Sequence, residues 1–509
     1  MRDTRQLKIC NISDINLCCV VSTMQFQVRS ALLLSAFFSS SSFVSAGPPG
    51  NFDLSSFKQG DIIYKDVAIV GGGSAGTYSA ISLKDKGHSV IVIEKKNRIG
   101  GNTETYIDPA TKIPVDVGVQ MFHNISVVTD YFKRFNIPLI VYGSDATNAT
   151  AQFMKQQYDF RTGKAVNISF PSATDVGAAF GNMAKFLAQY PKLDDGMYLP
   201  DPVPADFLLP LGEFVKKYEC EAILNTMFEL DPALGDFTTV PAIERIRVFG
   251  LSLVQAVSTG VLTTARHNNS ELYTKAQNEL LSATSLLLSS EVVASSRGDH
   301  NVKLMVKTPT GNKLIIAKKI LITIPPKVDI MAPFDLSRQE TSVFSKMIDV
   351  GYYTSVMKNT GIPDNVSVFN YAEDTPYNFP VLPQGYNVQM TPVPGLHQAV
   401  YGTPRSAATY PMSDDAVKAD IVKGIKRLQK ANPDKFKQTE PEFLFFSAHT
   451  PFYLQAKPED IAAGHYAKMY ALQGLRNTYW TGASWRAQDS SDIWRFSENE
   501  VLPKLIAGL

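Results

Sequence analysis

Between Asp66 and Glu94 the chain reads DVAIVGGGSAGTYSAISLKDKGHSVIVIE, and no other stretch constrains the fold as strongly. An apolar run (Val67 to Val70) leads into Gly71, Gly73 and Gly76, spaced as G-x-G-x-x-G. A helical stretch follows, and a second apolar run (Val90 to Ile93) ends in Glu94, 18 residues beyond the last glycine. Each part has a physical job in a strand–helix–strand unit that cradles a dinucleotide. Gly71 allows the tight turn out of the strand, Gly73 lets backbone approach a pyrophosphate, and Gly76 lets the helix pack close to the sheet. The helix N-terminus, at Ser74 and Ala75, offers unpaired N–H groups to phosphate. A carboxylate at Glu94, next to Lys95, is placed to accept hydrogen bonds from a ribose diol. The alternative is a glycine-rich turn in an ordinary strand–helix–strand unit that binds nothing.

The chain has 509 residues, 44% of them hydrophobic and 19% charged, with a formal net charge of +1. That length suits two connected domains. The balanced charge calls for neither nucleic acid nor an anionic membrane, and no apolar run after the N-terminal region is long enough to span a bilayer. Residues 1–46 read as a leader. Arg29, an apolar core from Ala31 to Phe38, and Val44-Ser45-Ala46 before Gly47 have the layout of a signal peptide. Met24 is then the expected first residue, and the secretory pathway the expected destination. Cys10, Cys18 and Cys19 fall in the leader, so Cys220 alone would remain and no intrachain disulfide is expected. Sequons stand at Asn124, Asn148, Asn167, Asn268 and Asn365. Asn124, close to the expected cofactor region, is the least expected to be glycosylated.

After Glu94, KKNRIGGNTETY places Gly100 and Gly101 behind Arg98. A basic side chain and flexible backbone there suit the same pyrophosphate, or else a plain surface turn. Asp116 and Gly118 in IPVDVGVQMFH suggest a strand that turns sharply near the cofactor. From 126 to 280 the three- and four-residue apolar spacing is helical. LLLSSEVVASS, VKLMVKT and KLIIAKKILITIPP read as successive strands, the run from Ile320 being that of a buried parallel strand. A helix is expected near Asp414 to Lys430. A strand, a turn at Gly482 and a helix from about Ser490 are expected at the end.

Four of these segments together resemble the FAD-dependent amine oxidoreductase superfamily, which includes monoamine oxidases, phytoene desaturases and a fatty-acid double-bond isomerase. VAIVGGGSAG…VIVIE is similar to its ADP-binding fingerprint, and RIGGNTET to its R-x-G-G motif. ILITIPP is similar to its strand before the second substrate segment, and YWTGASW to its C-terminal FAD-closing segment. VDVGVQMFHN, FFSAHTPFYL, LQGLRNTYWTGA and AQDSSDIW resemble fungal proteins related to β-cyclopiazonate dehydrogenase. The resemblance implies an α/β fold: a Rossmann-like FAD-binding domain from 47–125, 281–330 and 471–509. An α+β substrate domain would be inserted as a helical part (126–280) and a part with sheet and helix (331–470). It further implies that Gly71, Gly73 and Gly76, with Ser74 and Ala75, hold the pyrophosphate. Glu94 and Lys95 would flank the adenosine ribose, and Arg98, Gly100, Gly101 and Asn102 the phosphates. Backbone at Val292 or Val293 would meet adenine, and Gly482 and Ala483 the flavin end. The superfamily usually carries an acid after this last glycine. Ala483 stands there instead, which leaves the ribityl-phosphate contact to backbone N–H groups or another side chain.

A flavin takes the hydride itself, which accounts for the absence of a recognisable triad. Candidate catalytic residues are His449, as a substrate-orienting group or proton relay, Tyr479 and Trp480 as an aromatic wall, and Gln120 and His123 as lining groups. His123 is also a conceivable site of covalent flavin attachment. Structural packing is the competing reading for each. No HExxH or paired CxxC occurs and no metal is expected. The leading expectation is an FAD-dependent oxidoreductase taking a hydride from an apolar small molecule and passing electrons to an acceptor such as oxygen. A redox-neutral double-bond isomerase and a secreted binding protein on a degenerate flavin fold are the alternatives.

Overall fold

The computed structural model describes residues 52–144, 154–406 and 412–509. The expected leader, with its expected cleavage site and three cysteines, and the sequon at Asn148 lie outside the described residues.

The first apolar run forms β1 (Ile62–Val70), the expected helix α1 spans Ser74–Asp85, and β2 covers Val90–Ile93. β1 pairs in parallel with β2 on one side and with Gly311–Ile322 on the other. Sandwiched between two strands, Val67, Ala68 and Ile69 are fully buried. Burial of this kind stabilises by about 1.5–3 kcal/mol for each large aliphatic side chain. The sheet order is Glu291–Arg297, Val302–Thr308, Gly311–Ile322, β1, β2, Leu286–Leu287. The first three, expected as successive strands, form an antiparallel meander, and Ile320, Leu321 and Ile322 are fully buried. Thr478–Trp480 pairs in parallel with those last residues of the long strand, so the sheet draws on three distant parts of the chain.

A second sheet, Glu442–Ala448, Tyr352–Lys358, Leu396–Gly402, Gln384–Met390, Val366–Asn370, Met154–Asp159, Lys164–Ala165, is largely antiparallel. The helix Asp414–Ala431 covers part of it, packing Val417, Ile425 and Leu428 against Tyr158, Val388 and Tyr401. The segment 126–280 supplies the expected helices, among them Ser126–Arg134, Ala173–Leu187, Leu251–Thr259 and Ser270–Ser282. It also supplies short strands that its helical reading omitted. Met154–Asp159 (MKQQYD) is a strand, paired in parallel with Val366–Asn370. Its polar residues carry no alternating pattern, and a partner some two hundred residues away decides its state. Ser270–Ser282 lies against α1, with Lys84 bonded to Glu279 at 2.9 Å. One core runs from β1 through the helical segment to the C-terminal helices, and the described residues pack as a single unit.

The helix Ser490–Phe496, near the C-terminus, closes this core. Its Trp494 stacks on Tyr78 of α1 (5.8 Å between ring centres) and on Phe122 (5.6 Å), and meets Tyr131 edge-on at 5.0 Å. Its indole N–H donates to Ser74 Oγ at 2.9 Å. One side chain thus ties the C-terminus to the first turn of α1. Trp494→Ala is expected to cost about 3–5 kcal/mol, read as a lower denaturant midpoint, whereas Trp494→Phe keeps most of the burial and loses about 1 kcal/mol with the hydrogen bond.

Candidate dinucleotide and substrate site

The glycine fingerprint is built by contact. A Cβ on Gly76 would lie 1.9 Å from the carbonyl oxygen of Gly71, so only glycine lets α1 come this close to the turn. Gly71 itself has φ +98°, and a Cβ there would meet Thr323 Oγ1 at 2.7 Å. Gly73 differs: a Cβ there would find only the Cα of Gly101, at 3.8 Å. Protein packing therefore does not demand glycine at 73, and the space before it is open to a ligand. Gly101, at φ +56°, packs directly on Gly73; a Cβ on Gly101 would stand 2.9 Å from Gly73 Cα. The two glycine motifs thus meet side by side at the edge of one crevice. At its floor α1 begins at Gly73 with no side-chain cap, which leaves the first N–H groups of the helix aimed outward.

Around this crevice the expected residues fall as follows. Glu94 is buried, and its two carboxylate oxygens accept from the N–H groups of Gly72 and Lys96, each at 2.7 Å. Its remaining lone pairs stay available to a diol. Lys95 and Asn102 are exposed. The carbonyl of Asn102 explains Gly118: a Cβ on Gly118 would lie 1.8 Å from that oxygen. Val292 is buried and Val293 is 42% exposed. The ladder slips between Val292 and Ala294, which leaves Val293 backbone unpaired in the sheet. Nearby, Ser290 N–H donates to the carbonyl of Glu94 at 2.9 Å.

Arg98 turns back on its own loop, donating to the carbonyls of Ile99 (3.2 Å) and Gly101 (3.1 Å) and pairing with Glu104. Glu104 also accepts from His449 Nε2 at 3.1 Å. Burial pushes the Glu104 carboxyl up, but hydrogen bonds from His449 and Ser447 and the charges of His449 and Arg98 outweigh it and bring it down to about 2. His449 therefore joins the cofactor loop to the second sheet. Its ring lies 5.9 Å from that of Tyr352 and 6.1 Å from that of Phe452, which stack on each other at 5.0 Å. Gln120 is half-buried and donates to the carbonyl of Asp116 and to Gln398. Burial pushes the Asp116 carboxyl up to about 7, against hydrogen bonds from Thr105 and Asn269.

Tyr479 and Trp480 require a correction. Tyr479 donates its hydroxyl to the carbonyl of Lys504 at 3.1 Å. Trp480 is fully buried, stacked on Trp485 at 5.5 Å and edge-on to Phe344 at 5.2 Å. Both pack the sheet onto neighbouring helices and form no wall of the crevice, because a strand paired at Ile320–Ile322 carries them into the core. Gly482, two residues on, does reach the crevice: a Cβ there would stand 3.6 Å from that of Ala75. Ala483 gives its carbonyl to Arg247. His123 is buried, its Nδ1 3.0 Å from Ser252 Oγ and its Nε2 3.5 Å from Asp489. A ring nitrogen of His123 lies close enough to carboxylate oxygens of Asp489 and Asp492 to share an ion with them. Asp492, however, is already neutralised by Arg486 and Arg495, at 2.9 and 2.7 Å.

Sequence reading missed Tyr273 and Thr103. Both are buried, and Tyr273 packs against Gly100. The Tyr273 hydroxyl lies within reach of the hydroxyls of Ser74, Thr103 and Ser490. That cluster of hydroxyls stands beside the uncapped helix N-terminus, the end of a helix that suits a phosphate. Tyr273 carried no motif; it reaches the crevice because Ser270–Ser282 packs on α1. The open cradle at Gly73 and these hydroxyls together fit a bound dinucleotide.

A family model, the NAD(P)-binding Rossmann-like domain, matches residues 69–135. The FAD-dependent oxidoreductase oblC of Cochliobolus heterostrophus is 47% identical over 95% of this chain and 99% of its own length. The FAD-dependent oxidoreductase pigF of Monascus ruber is 36% identical over 94% of this chain and 100% of its own. The β-cyclopiazonate dehydrogenase of Aspergillus oryzae is 31% identical, covering 87% and 94%. Among solved structures, a fatty acid isomerase from P. acnes superposes with a TM-score of 0.67 at 17% identity, over 86% of this chain and 98% of its own. Putrescine oxidase bound to putrescine gives 0.59 at 14%, over 88% and 100%. These last two likenesses bear on the fold.

Gly73→Val is expected to leave the fold intact and to weaken flavin binding at least about a hundredfold, since several charge-assisted hydrogen bonds to phosphate are blocked. Gly76→Ala is expected to destabilise the protein itself, because its Cβ collides with backbone. Absorbance ratios of the purified proteins and their melting temperatures separate the two effects.

Glu104 has its own signature. A carboxyl held below its ordinary value stabilises the fold above that value and loses the contribution as pH falls through the lowered one. Glu104→Gln is expected to cost about 2–3 kcal/mol at pH 7. The gap from wild type should shrink as pH falls from 4.5 toward 2, in melting curves recorded across that range.

Proposed function

We propose a reaction for this protein from one premise: the chain belongs to the family of FAD-dependent oxidoreductases. Its substrate is a largely apolar small molecule of secondary metabolism, oxidised by loss of a hydride, with oxygen or another small acceptor reoxidising the cofactor. The observation that carries the apolar reading is the half-buried Tyr352–Phe452 stack beside His449. His449 is bonded in turn to Glu104 on the cofactor loop. An aromatic surface next to the cofactor favours a flat or aliphatic substrate through burial and stacking.

FAD, when bound, supplies the hydride acceptor. The residues of this chain do the rest. Gly73, Gly101 and the first turn of α1 hold the pyrophosphate, and Glu94 holds the ribose. Tyr352 and Phe452 orient the substrate and exclude water. His449, with Nε2 fixed on Glu104, keeps its ring in place and leaves Nδ1 to hold or pass a proton.

The redox-neutral isomerase is the less favoured reading, since the P. acnes enzyme shares the fold at low identity whereas the relatives of high identity are named oxidoreductases or dehydrogenases. The leader of residues 1–46 supports entry into the secretory pathway. Asn124, Asn167 and Asn365 are exposed and accessible to glycosylation there, whereas Asn268 Oδ1 is buried. Among the described residues no helix is long and apolar enough to cross a membrane.

The purified protein is expected to be yellow. Anaerobic mixing with a library of apolar alkaloids and polyketides should bleach the flavin with at least one member and restore colour on admission of oxygen. Product formation with no bleaching and no need for an acceptor would favour isomerisation. Tyr352→Ala should raise KM about tenfold or more, the loss of one aromatic contact, with little change in bound flavin.

A further inference from the structure

The structure assigns to Arg247 the role of positioning residue for the flavin half of the cofactor, through the turn 482–486. The inference rests on FAD as the cofactor. Arg247 follows the helix Ala242–Ile246 and is 2% exposed. All of its N–H groups are engaged. One nitrogen, Nη1, meets Glu244 at 2.7 Å, the carbonyl of Leu454 at 2.8 Å and the hydroxyl of Tyr466 at 3.2 Å. The other two go to the turn. Nη2 donates to the carbonyls of Ala483 and Ser484, each at 3.1 Å, and Nε to that of Arg486 at 3.2 Å. Arg486 reciprocates, donating to the carbonyl of Arg247 at 2.6 Å.

Neutralising Glu244 would need only a point charge. A rigid fork aimed at three carbonyls of one turn sets the shape of that turn. In a planar trans peptide the N–H points opposite to the C=O. Fixing the Ala483 carbonyl on Arg247 therefore turns the Ser484 N–H to the opposite side. The Trp485 N–H is spent on the carbonyl of Gly482, at 3.0 Å. The N–H groups of Ala483 and Ser484 have no acceptor among the described residues, and the turn borders Ala75 in the first turn of α1. With Ala483 in the place where the superfamily usually has an acid, these two backbone donors are the groups that meet the ribityl-phosphate oxygens. Arg247 fixes the Ser484 N–H from behind, and the Gly482 carbonyl, held by the N–H groups of Trp485 and Arg486, fixes the Ala483 N–H, so Arg247 acts without touching the cofactor.

The test separates the two ends of the cofactor. Flavin is removed from wild-type protein and from Arg247→Lys and Arg247→Met, and each apoprotein is titrated with FAD and with AMP, which occupies only the adenosine end and lacks the ribityl-phosphate. Arg247→Lys should lose about tenfold or more in FAD affinity, the scale of one or two hydrogen bonds to a charged group, while AMP affinity changes less than about twofold. Arg247→Met should lose at least as much. In wild-type protein, hydrogen exchange at the amides of Ala483 and Ser484 should slow with FAD and stay unchanged with AMP. Equal losses for both ligands would mark a purely structural arginine and overturn the inference, as would unchanged FAD affinity or amides that FAD leaves unprotected. Failure of the cofactor premise looks different: wild-type protein would then bind neither ligand.

Discussion

The approach of α1 to the turn at Gly71 and Gly72 is the constraint on which the rest of the structure depends. At Gly76 the helix comes so near the backbone of Gly71 that no side chain fits between them. That contact fixes where the helix starts, and the start is an uncapped N-terminus at Gly73. A helix end of this kind concentrates partial positive charge and unpaired donors at one spot. Everything that converges on the spot comes from elsewhere in the chain: Gly101 from the next loop, Tyr273 from the helix Ser270–Ser282, Ser490 and Trp494 from the C-terminus. Trp494 bonds to the Ser74 side chain, so that residue is held while its backbone N–H stays free. The fold builds the cradle by bringing segments together around one helix terminus.

The junction with the second sheet is held by charge. Glu104 carries Arg98 on one side and His449 on the other, both of them burying part of their surface against it. Breaking such a group leaves a buried charge without its partner, which costs more than the pair gained by forming. The arrangement therefore specifies geometry: the R-x-G-G loop cannot shift without disturbing the strand that ends at Ala448. The Tyr352–Phe452 stack beside His449 and the glycines of the R-x-G-G loop are coupled through a carboxylate that sequence inspection had no reason to select.

What sequence could show follows from how local the encoding is. The βαβ unit, the meander from 291 to 322 and the helix at Asp414–Ala431 each carry their period and their turn residues within a short stretch, and they fold as that pattern dictates. The strand Met154–Asp159 has no such pattern and owes its state to Val366–Asn370. Glycines 71, 73, 76 and 101 were legible because a missing side chain is a local signal with few explanations. Tyr479 and Trp480 were misread because aromatic residues have two uses, in a core or in a binding wall, and the choice depends on which face of the strand they occupy. Burial of Trp480 between Trp485 and Phe344 decides it. Tyr273 and Thr103 were invisible because their role arises only when helix and loop meet.

The two halves of the cofactor site are encoded in different ways, and the difference has a physical origin. A pyrophosphate is small, charged and the same in every dinucleotide, so a helix terminus and a few glycines suffice, and these leave a compact motif. The flavin side needs donors placed on the far wall of a crevice, and here the wall is a turn with no acid of its own. Its shape is imposed from the side away from the cofactor by a guanidinium that spans three carbonyls. Such an arginine lies far from the turn in sequence, with 235 residues between Arg247 and Ala483, and shares no motif with it. Carbonyls that face a buried arginine force their amides to face the other way, and a chain that has given up a side-chain ligand at Ala483 can in this manner recover binding from backbone alone.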